Sequence, residues 1–195
     1  MYLKQQIILA SASPRRKQLL SSVGLKFKTV PAHLDEIYLN GETPNQHARR
    51  LAQSKAKIIS EKYPDAWVLG ADTIVVIDGQ ILGKPENKAQ AKKMLQKLSG
   101  RTHKVHTAFT ITRAASSISR TLVIQSAVSF KNISPDEIKW YISSKEPYDK
   151  AGGYAAQEKG ASFIKSVRGS YTNVIGLPLC EVLEEFKTLG VISFR

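Results

Sequence analysis

Apolar and polar positions alternate in blocks along this chain, and the blocks predict helices and strands in turn. Residues 6–10 form a short apolar run that reads as a strand. A helix follows, opened by Ser13 as N-cap with Pro14 at the first helical position and closed by Gly24. Thr43-Pro44-Asn45-Gln46 and Ser134-Pro135-Asp136-Glu137 are capping boxes with proline just inside, and each predicts a helix start. From about residue 87 to residue 98, Ala91, Met94, Leu95 and Leu98 share one face; after Pro178, Leu179, Val182, Leu183, Phe186 and Leu189 recur at helical spacing up to Gly190. Strand-like segments cover residues 66–69, residues 73–77 before a turn at Asp78-Gly79, and a long pair at 103–113 and 118–130 that reads as an antiparallel hairpin. The expected fold is α/β, with a mixed, partly antiparallel sheet flanked by helices, because a strictly parallel sheet needs a crossover helix between successive strands.

Several residues break this pattern. Arg15 and Arg16 stand in the first turn of the first helix, where the macrodipole disfavours a cation by roughly 0.3–1 kcal/mol each. Free backbone N–H groups, two guanidinium groups and the hydroxyls of Ser11 and Ser13 would together make a phosphate cradle; the other reading is two exposed arginines paired with carboxylates. Lys55 points into the middle of the apolar stripe defined by Ala48, Leu51, Ala52 and Ile59. It either snorkels along its methylene stem or lines an anionic cavity. Asp72, in Gly70-Ala71-Asp72-Thr73, sits between two apolar strand segments, where an unpaired carboxylate is costly. It caps a turn, holds a metal or serves as a base. Gly83-Lys84-Pro85 places a lysine in a rigid turn, and Asp149-Lys150-Ala151-Gly152-Gly153-Tyr154 joins a charged pair to glycines that would let backbone approach a ligand.

Composition narrows the setting. With 195 residues, 42% hydrophobic and 23% charged, the chain fits one folding unit spanning residues 1–195, or two closely joined lobes, and is far from the composition of disorder. The single cysteine, Cys180, excludes an internal disulfide and suits a reducing compartment; it is expected to be a small core residue. No stretch approaches the roughly 20 apolar residues that span a bilayer, so a cytoplasmic protein is expected. The net charge of +13 favours anionic partners, whether nucleic acid, an anionic surface or phosphorylated small molecules. Lys88, Lys92, Lys93 and Lys97 read as one solvated helix face. No Walker loop, Gly-x-Gly-x-x-Gly or His-Glu-x-x-His motif occurs, and His33, His47, His103 and His106 form no metal-ligand spacing.

Taken together and in order, Ser11-Ala12-Ser13-Pro14-Arg15-Arg16, Gly70-Ala71-Asp72-Thr73, Leu82-Gly83-Lys84-Pro85, Asp149-Lys150-Ala151-Gly152 through Gln157, and Gly176-Leu177-Pro178-Leu179 resemble the Maf family over nearly the whole chain. The resemblance implies a fold like that of inosine triphosphate pyrophosphatase with two lobes around a cleft, hydrolysis of nucleoside triphosphates between the α and β phosphates, and dependence on a divalent metal, Mg²⁺ or Mn²⁺. It implies Asp72 as proton acceptor, Arg15, Thr73 and Gln157 as positions tied to substrate choice, and Lys55 and Lys84 facing the phosphates. The Asp-Lys-Ala-Gly stretch followed by glutamine is similar to the branch acting on dTTP and UTP. Gln157 suits such a role because one amide offers both a donor and an acceptor to a uracil or thymine edge. Glu158 follows it where relatives of that branch often carry glycine.

The reading that results is a pyrimidine nucleotide pyrophosphatase with a house-cleaning role. Ser13, Arg15, Arg16, Lys55 and Lys84 hold the triphosphate, and Asp72 acts as base or metal ligand, with Glu36 as a second candidate ligand. A homodimer is the candidate assembly. Two rivals stand beside it: a basic nucleic-acid-binding protein without catalysis, disfavoured because no RNA-binding aromatic motif or recognition helix is visible, and a phosphatase releasing single phosphates.

Overall fold

The computed structural model describes residues 2–3 and 5–193 and shows a mixed α/β fold. In chain order the elements are β1 (Tyr2–Leu3), β2 (Ile7–Leu9), α1 (Pro14–Ser22), β3 (Lys28–Thr29), α2 (Pro44–Ser60), β4 (Trp67–Ile77), β5 (Gln80–Leu82), α3 (Lys88–Leu98), β6 (Thr102–Arg113), β7 (Ile118–Phe130), α4 (Pro135–Ile142), β8 (Ile164–Arg168), α5 (Tyr171–Ile175), α6 (Leu179–Thr188) and β9 (Ile192–Ser193). The main sheet has the order β3-β2-β4-β6-β7-β8, with β5 paired to β4. Strand β2 lies parallel to β3 and to β4, and helices occupy both crossovers. Strand β5 is antiparallel to β4, and β8 to β7. Residues 114–117 join β6 to its neighbour β7, too short a link for a parallel crossover, and the side-chain pairs Thr110–Thr121 and Thr102–Ser129 fit one antiparallel register. The expected hairpin is therefore present.

The chain divides into two compact units. One takes the residues up to Asp72, Thr107–Ile124 and those from Gly176 onward; the other takes Thr73–His106 and Gln125–Ile175. Strands β4, β6 and β7 contribute residues to both.

In the first unit, Ser13 and Thr43 cap α1 and α2 as expected, Thr43 through a complete capping box with Gln46. The apolar stripe of α2 packs on the parallel strands: Ala56 and Ile59 join Ile8, Ala10, Ala66 and Val68 in one cluster. Gly70 explains how closely helix and strand approach. A Cβ added there would stand 2.6 Å from both the Ala52 carbonyl oxygen and the Ala56 amide nitrogen, so any side chain would push α2 off β4. One expectation fails here. Cys180 is exposed, because the buried stripe of α6 is Val182 and Phe186, and a residue two positions before Val182 lies on the opposite side of the helix.

In the second unit, Asp78 and Gly79 both take positive φ, the conformation that a two-residue β4–β5 hairpin requires. The core gathers Val75, Ile77, Leu95, Leu98, Val105, Val128, Phe130, Ile138, Tyr141, Tyr154 and Phe163, with α3 packed on α4. Its aromatic rings meet edge to face, Phe130 with Tyr154 at 4.8 Å and with His103 at 4.9 Å between centroids.

His103 is 1% exposed; its Nε2 and the Tyr154 hydroxyl are 2.7 Å apart, while its Nδ1 has no hydrogen-bond partner among the described residues. Burial lowers the His103 pKa from 6.5 to about 4, so the ring is neutral in the folded protein at pH 7. A lowered folded-state value means that stability is full above about pH 6.5 and falls as the pH drops toward 4, because the unfolded chain takes up the proton first. Urea unfolding at pH 7 and pH 5 is expected to show a loss larger by roughly 1–2 kcal/mol in the wild type than in His103→Gln. Equal losses in the two proteins would mean that His103 does not carry this dependence.

Candidate active site

Asp72 does not cap a turn. The two strand-like segments around it are one continuous strand, β4, whose residues are buried almost throughout, and Asp72 is itself 5% exposed. The physical reason for the continuity is Gly70, which admits α2 where a larger residue would interrupt the packing. Along a strand, residues two apart point to the same face, so Asp72 shares the face of Gly70 on which α2 is seated. Lys55 precedes Ala56 on that helix and meets Asp72 there.

The Lys55 ammonium lies 2.7 Å from Asp72 Oδ1 and 2.6 Å from Glu36 Oε1. Its burial within the apolar stripe thus has an anionic destination, a pair of carboxylates that takes the ammonium in place of bulk solvent. Glu36 comes from the segment between β3 and α2 and is about half exposed, so one carboxylate of the pair is buried and the other borders solvent. Among the described residues, no group of three or more His, Cys, Asp or Glu side chains is placed to hold a metal. Two carboxylates converging on one point are fewer than an all-protein cage needs. They match the pattern of Mg²⁺, which binds through one or two carboxylates while substrate phosphates and water complete its shell. The donor set therefore fits a divalent ion bound together with a nucleotide.

The N-terminus of α1 belongs to the same unit. Ser13 accepts the Arg16 amide as N-cap, and Arg15 is partly exposed in the first turn. Arg16, by contrast, is buried: its Nε donates to the Gly176 carbonyl at 2.8 Å, and Nη1 donates to the Ala71 carbonyl at 2.9 Å and to Ser11 Oγ at 3.0 Å. Burial pulls its pKa below the ordinary arginine value, while the Asp72 and Glu36 carboxylates oppose that shift. One guanidinium thus ties together the Ser11 loop, the peptide preceding Asp72, and the Gly176-Leu177-Pro178-Leu179 motif. Of the two expectations for Arg16, a phosphate grip or an exposed arginine paired with a carboxylate, the second does not hold, since the side chain is buried among backbone carbonyls and Ser11.

In the second unit, two further motifs form one assembly. The Gly152 amide donates to the Gly83 carbonyl at 3.0 Å, and Gly153 packs on Pro85, which joins the Lys84 turn to the Asp149–Gly153 stretch. The glycines serve the turn and its packing: Gly152 and Gly153 are buried with positive φ, and a Cβ on Gly152 would stand 3.0 Å from Val75. Lys84 and Gln157 are exposed, and Thr73, next to Asp72 in β4, is partly buried. Lys150 is buried, with its Nζ 2.7 Å from Asp149 Oδ1 and 3.0 Å from the Glu146 carbonyl. Glu146 itself escaped sequence reading. Its carboxylate accepts from the Tyr141 hydroxyl at 2.9 Å, the Gly160 amide at 2.9 Å and the Lys159 amide at 3.0 Å, which fixes the chain immediately after Gln157.

Comparison with known proteins gives the chain its family. A dTTP/UTP pyrophosphatase of Syntrophus aciditrophicus is 55% identical over 98% of this chain and 94% of its own length. One from Geotalea uraniireducens is 46% identical over 99% of this chain and 100% of its own. Among solved structures, the Ham1 protein of Staphylococcus aureus superposes with a TM-score of 0.51 over 95% of this chain and 100% of its own, at 12% identity, a likeness of fold alone. Residues 6–189 match the family described as Maf-like protein, and with relatives this similar along nearly its whole length, the chain belongs to the Maf family.

Proposed function

We propose that this protein is a nucleoside triphosphate pyrophosphatase that hydrolyses dTTP and UTP to the monophosphate and pyrophosphate. The observation that carries the reading is the buried Lys55–Asp72 pair, with Glu36 on the same ammonium, beside the α1 N-terminus. Relatives at 46–55% identity, named for this activity, support the choice of substrate. The glutamate after Gln157 does not set the chain apart from them at the level of the whole sequence.

In this reading, Ser13 and Arg15 at the α1 N-terminus, with Lys55 and Lys84, hold the triphosphate oxygens, and helix N-terminal amides favour the same anion. Arg16 serves the phosphate site indirectly, as the brace that sets the Ser11 loop and the Ala71 carbonyl. Asp72 orients a water and accepts its proton as the water oxygen bonds to the α phosphorus; the bond from that phosphorus to the α–β bridging oxygen breaks, and pyrophosphate leaves. Thr73 and Gln157 set substrate choice, Gln157 by pairing its amide with the base edge. Asp72 and Glu36 would hold Mg²⁺ or Mn²⁺, and the bound ion would neutralise charge on the leaving group. Among the described residues no helix is long and apolar enough to cross a membrane, and the lone Cys180 suits the cytoplasm, the compartment proposed here.

The test is to incubate purified protein with dTTP, UTP, CTP, GTP, ATP and 7-methyl-GTP in Mg²⁺ or Mn²⁺ and to resolve pyrophosphate from orthophosphate. Pyrophosphate released fastest from dTTP and UTP is the expected result. Orthophosphate as first product would overturn the reaction type, and no turnover of any nucleotide would return the +13 charge to a binding role.

A further inference from the structure

We infer that Lys55 is a placeholder for the divalent ion: its ammonium lies between Glu36 and Asp72, the position that a cation bound with substrate would take. This inference rests on the proposed pyrophosphatase reading and concerns the regulation of that same site.

The geometry supplies the argument. Lys55 Nζ is held at 2.6 Å and 2.7 Å by two carboxylates, one buried and one half exposed, which is the arrangement in which a cation bridges two hard oxygen ligands. Arg16 and Arg50 also act electrostatically on Asp72, and Arg16 on Glu36, while Lys55 stands at hydrogen-bond distance from both carboxylates, so its removal leaves the buried Asp72 without that contact. The lysine stabilises the two carboxylates by supplying positive charge from within the chain. A divalent ion placed between the same oxygens would repel the ammonium at short range, so metal and Lys55 compete for one position.

A triphosphate changes that balance. Its oxygens offer the ammonium a new anionic partner, and the flexible four-carbon stem lets the lysine exchange two carboxylates for phosphate. The carboxylates are then released to the ion that accompanies the nucleotide. Metal and nucleotide therefore bind with positive cooperativity, and the free protein binds the ion weakly. One side chain thus serves as counter-ion before binding and as phosphate ligand afterwards. This also explains why a lysine, whose compact head and long stem allow the move, suits the position better than an arginine locked into a planar fork.

The experiment measures Mn²⁺ affinity in the absence of nucleotide, by electron paramagnetic resonance and calorimetry, for the wild type, Lys55→Met and Lys55→Gln. Removing the ammonium is expected to tighten Mn²⁺ binding by about tenfold or more, and Asp72→Asn in the Lys55→Met background should abolish the gain. Mn²⁺ should also raise the Tm of Lys55→Met more than that of the wild type, since the ion replaces the missing charge. If Lys55→Met does not fold, Lys55→Gln, whose amide still donates to one carboxylate, carries the measurement. Unchanged or weaker Mn²⁺ binding in the folded variant would overturn the placeholder. The two readings fail separately: wild-type pyrophosphate release without a gain in Mn²⁺ affinity sinks only this inference, and a gain without wild-type turnover of any nucleotide sinks only the proposed function.

Discussion

Asp72→Asn is expected to slow pyrophosphate release from dTTP by about 10²–10⁴-fold, the range in which a positioned proton acceptor contributes. The substitution is nearly isosteric within β4, and Lys55 retains Glu36 as a partner at 2.6 Å, so far-UV circular dichroism should show an intact fold. The activity loss alone supports a base and a metal ligand equally. Mn²⁺ affinity measured with a bound, non-hydrolysable nucleotide reads the ligand role by itself: a lowered affinity shows that Asp72 also holds the ion, and an unchanged one leaves Asp72 as base only. Turnover equal to wild type would remove Asp72 from the reaction and with it the chemical scheme.

Glu146→Leu is expected to lower the Tm by roughly 5–10 °C, from about 2–4 kcal/mol lost when buried donors go unpaired in a chain of this size. The side chain is 8% exposed and accepts from three donors, two of them the backbone amides of Lys159 and Gly160. Glu146→Gln, which keeps one acceptor oxygen, should fall between Glu146→Leu and the wild type. Because the Lys159 and Gly160 amides follow Gln157 closely, Glu146→Leu should also raise KM for dTTP more than it lowers kcat. Thermal melts of the three proteins check the first claim and steady-state kinetics the second; a leucine variant as stable as the glutamine variant would mean that water satisfies these amides.

The local devices of the fold were legible because each acts within a few residues. Ser13, Thr43 and Ser134 accept from amides three residues ahead, so their helix starts are legible from spacing alone, as is the Asp78-Gly79 turn. The break at Gly70-Ala71-Asp72 was misread as an interruption, since propensity cannot show that the glycine is there to admit the backbone of α2. Cys180 was assigned to the core on residue type, when the phase of α6 relative to Val182 and Phe186 decides the matter.

For the candidate site, the chain by itself determined the unusual chemistry: an arginine pair at a helix start, a lysine in an apolar stripe, an aspartate between apolar segments. These are legible because each violates a local preference, and local preferences need no partner to be evaluated. What only the tertiary structure decided is which violations answer one another. Lys55 and Asp72 are 17 positions apart and Arg16 and Gly176 are 160 apart, and no periodicity reaches across such distances. Their meeting depends on parallel strand order and on a helix seated against a glycine, which are properties of packing, and the compensation of buried charge exists only once that packing has formed.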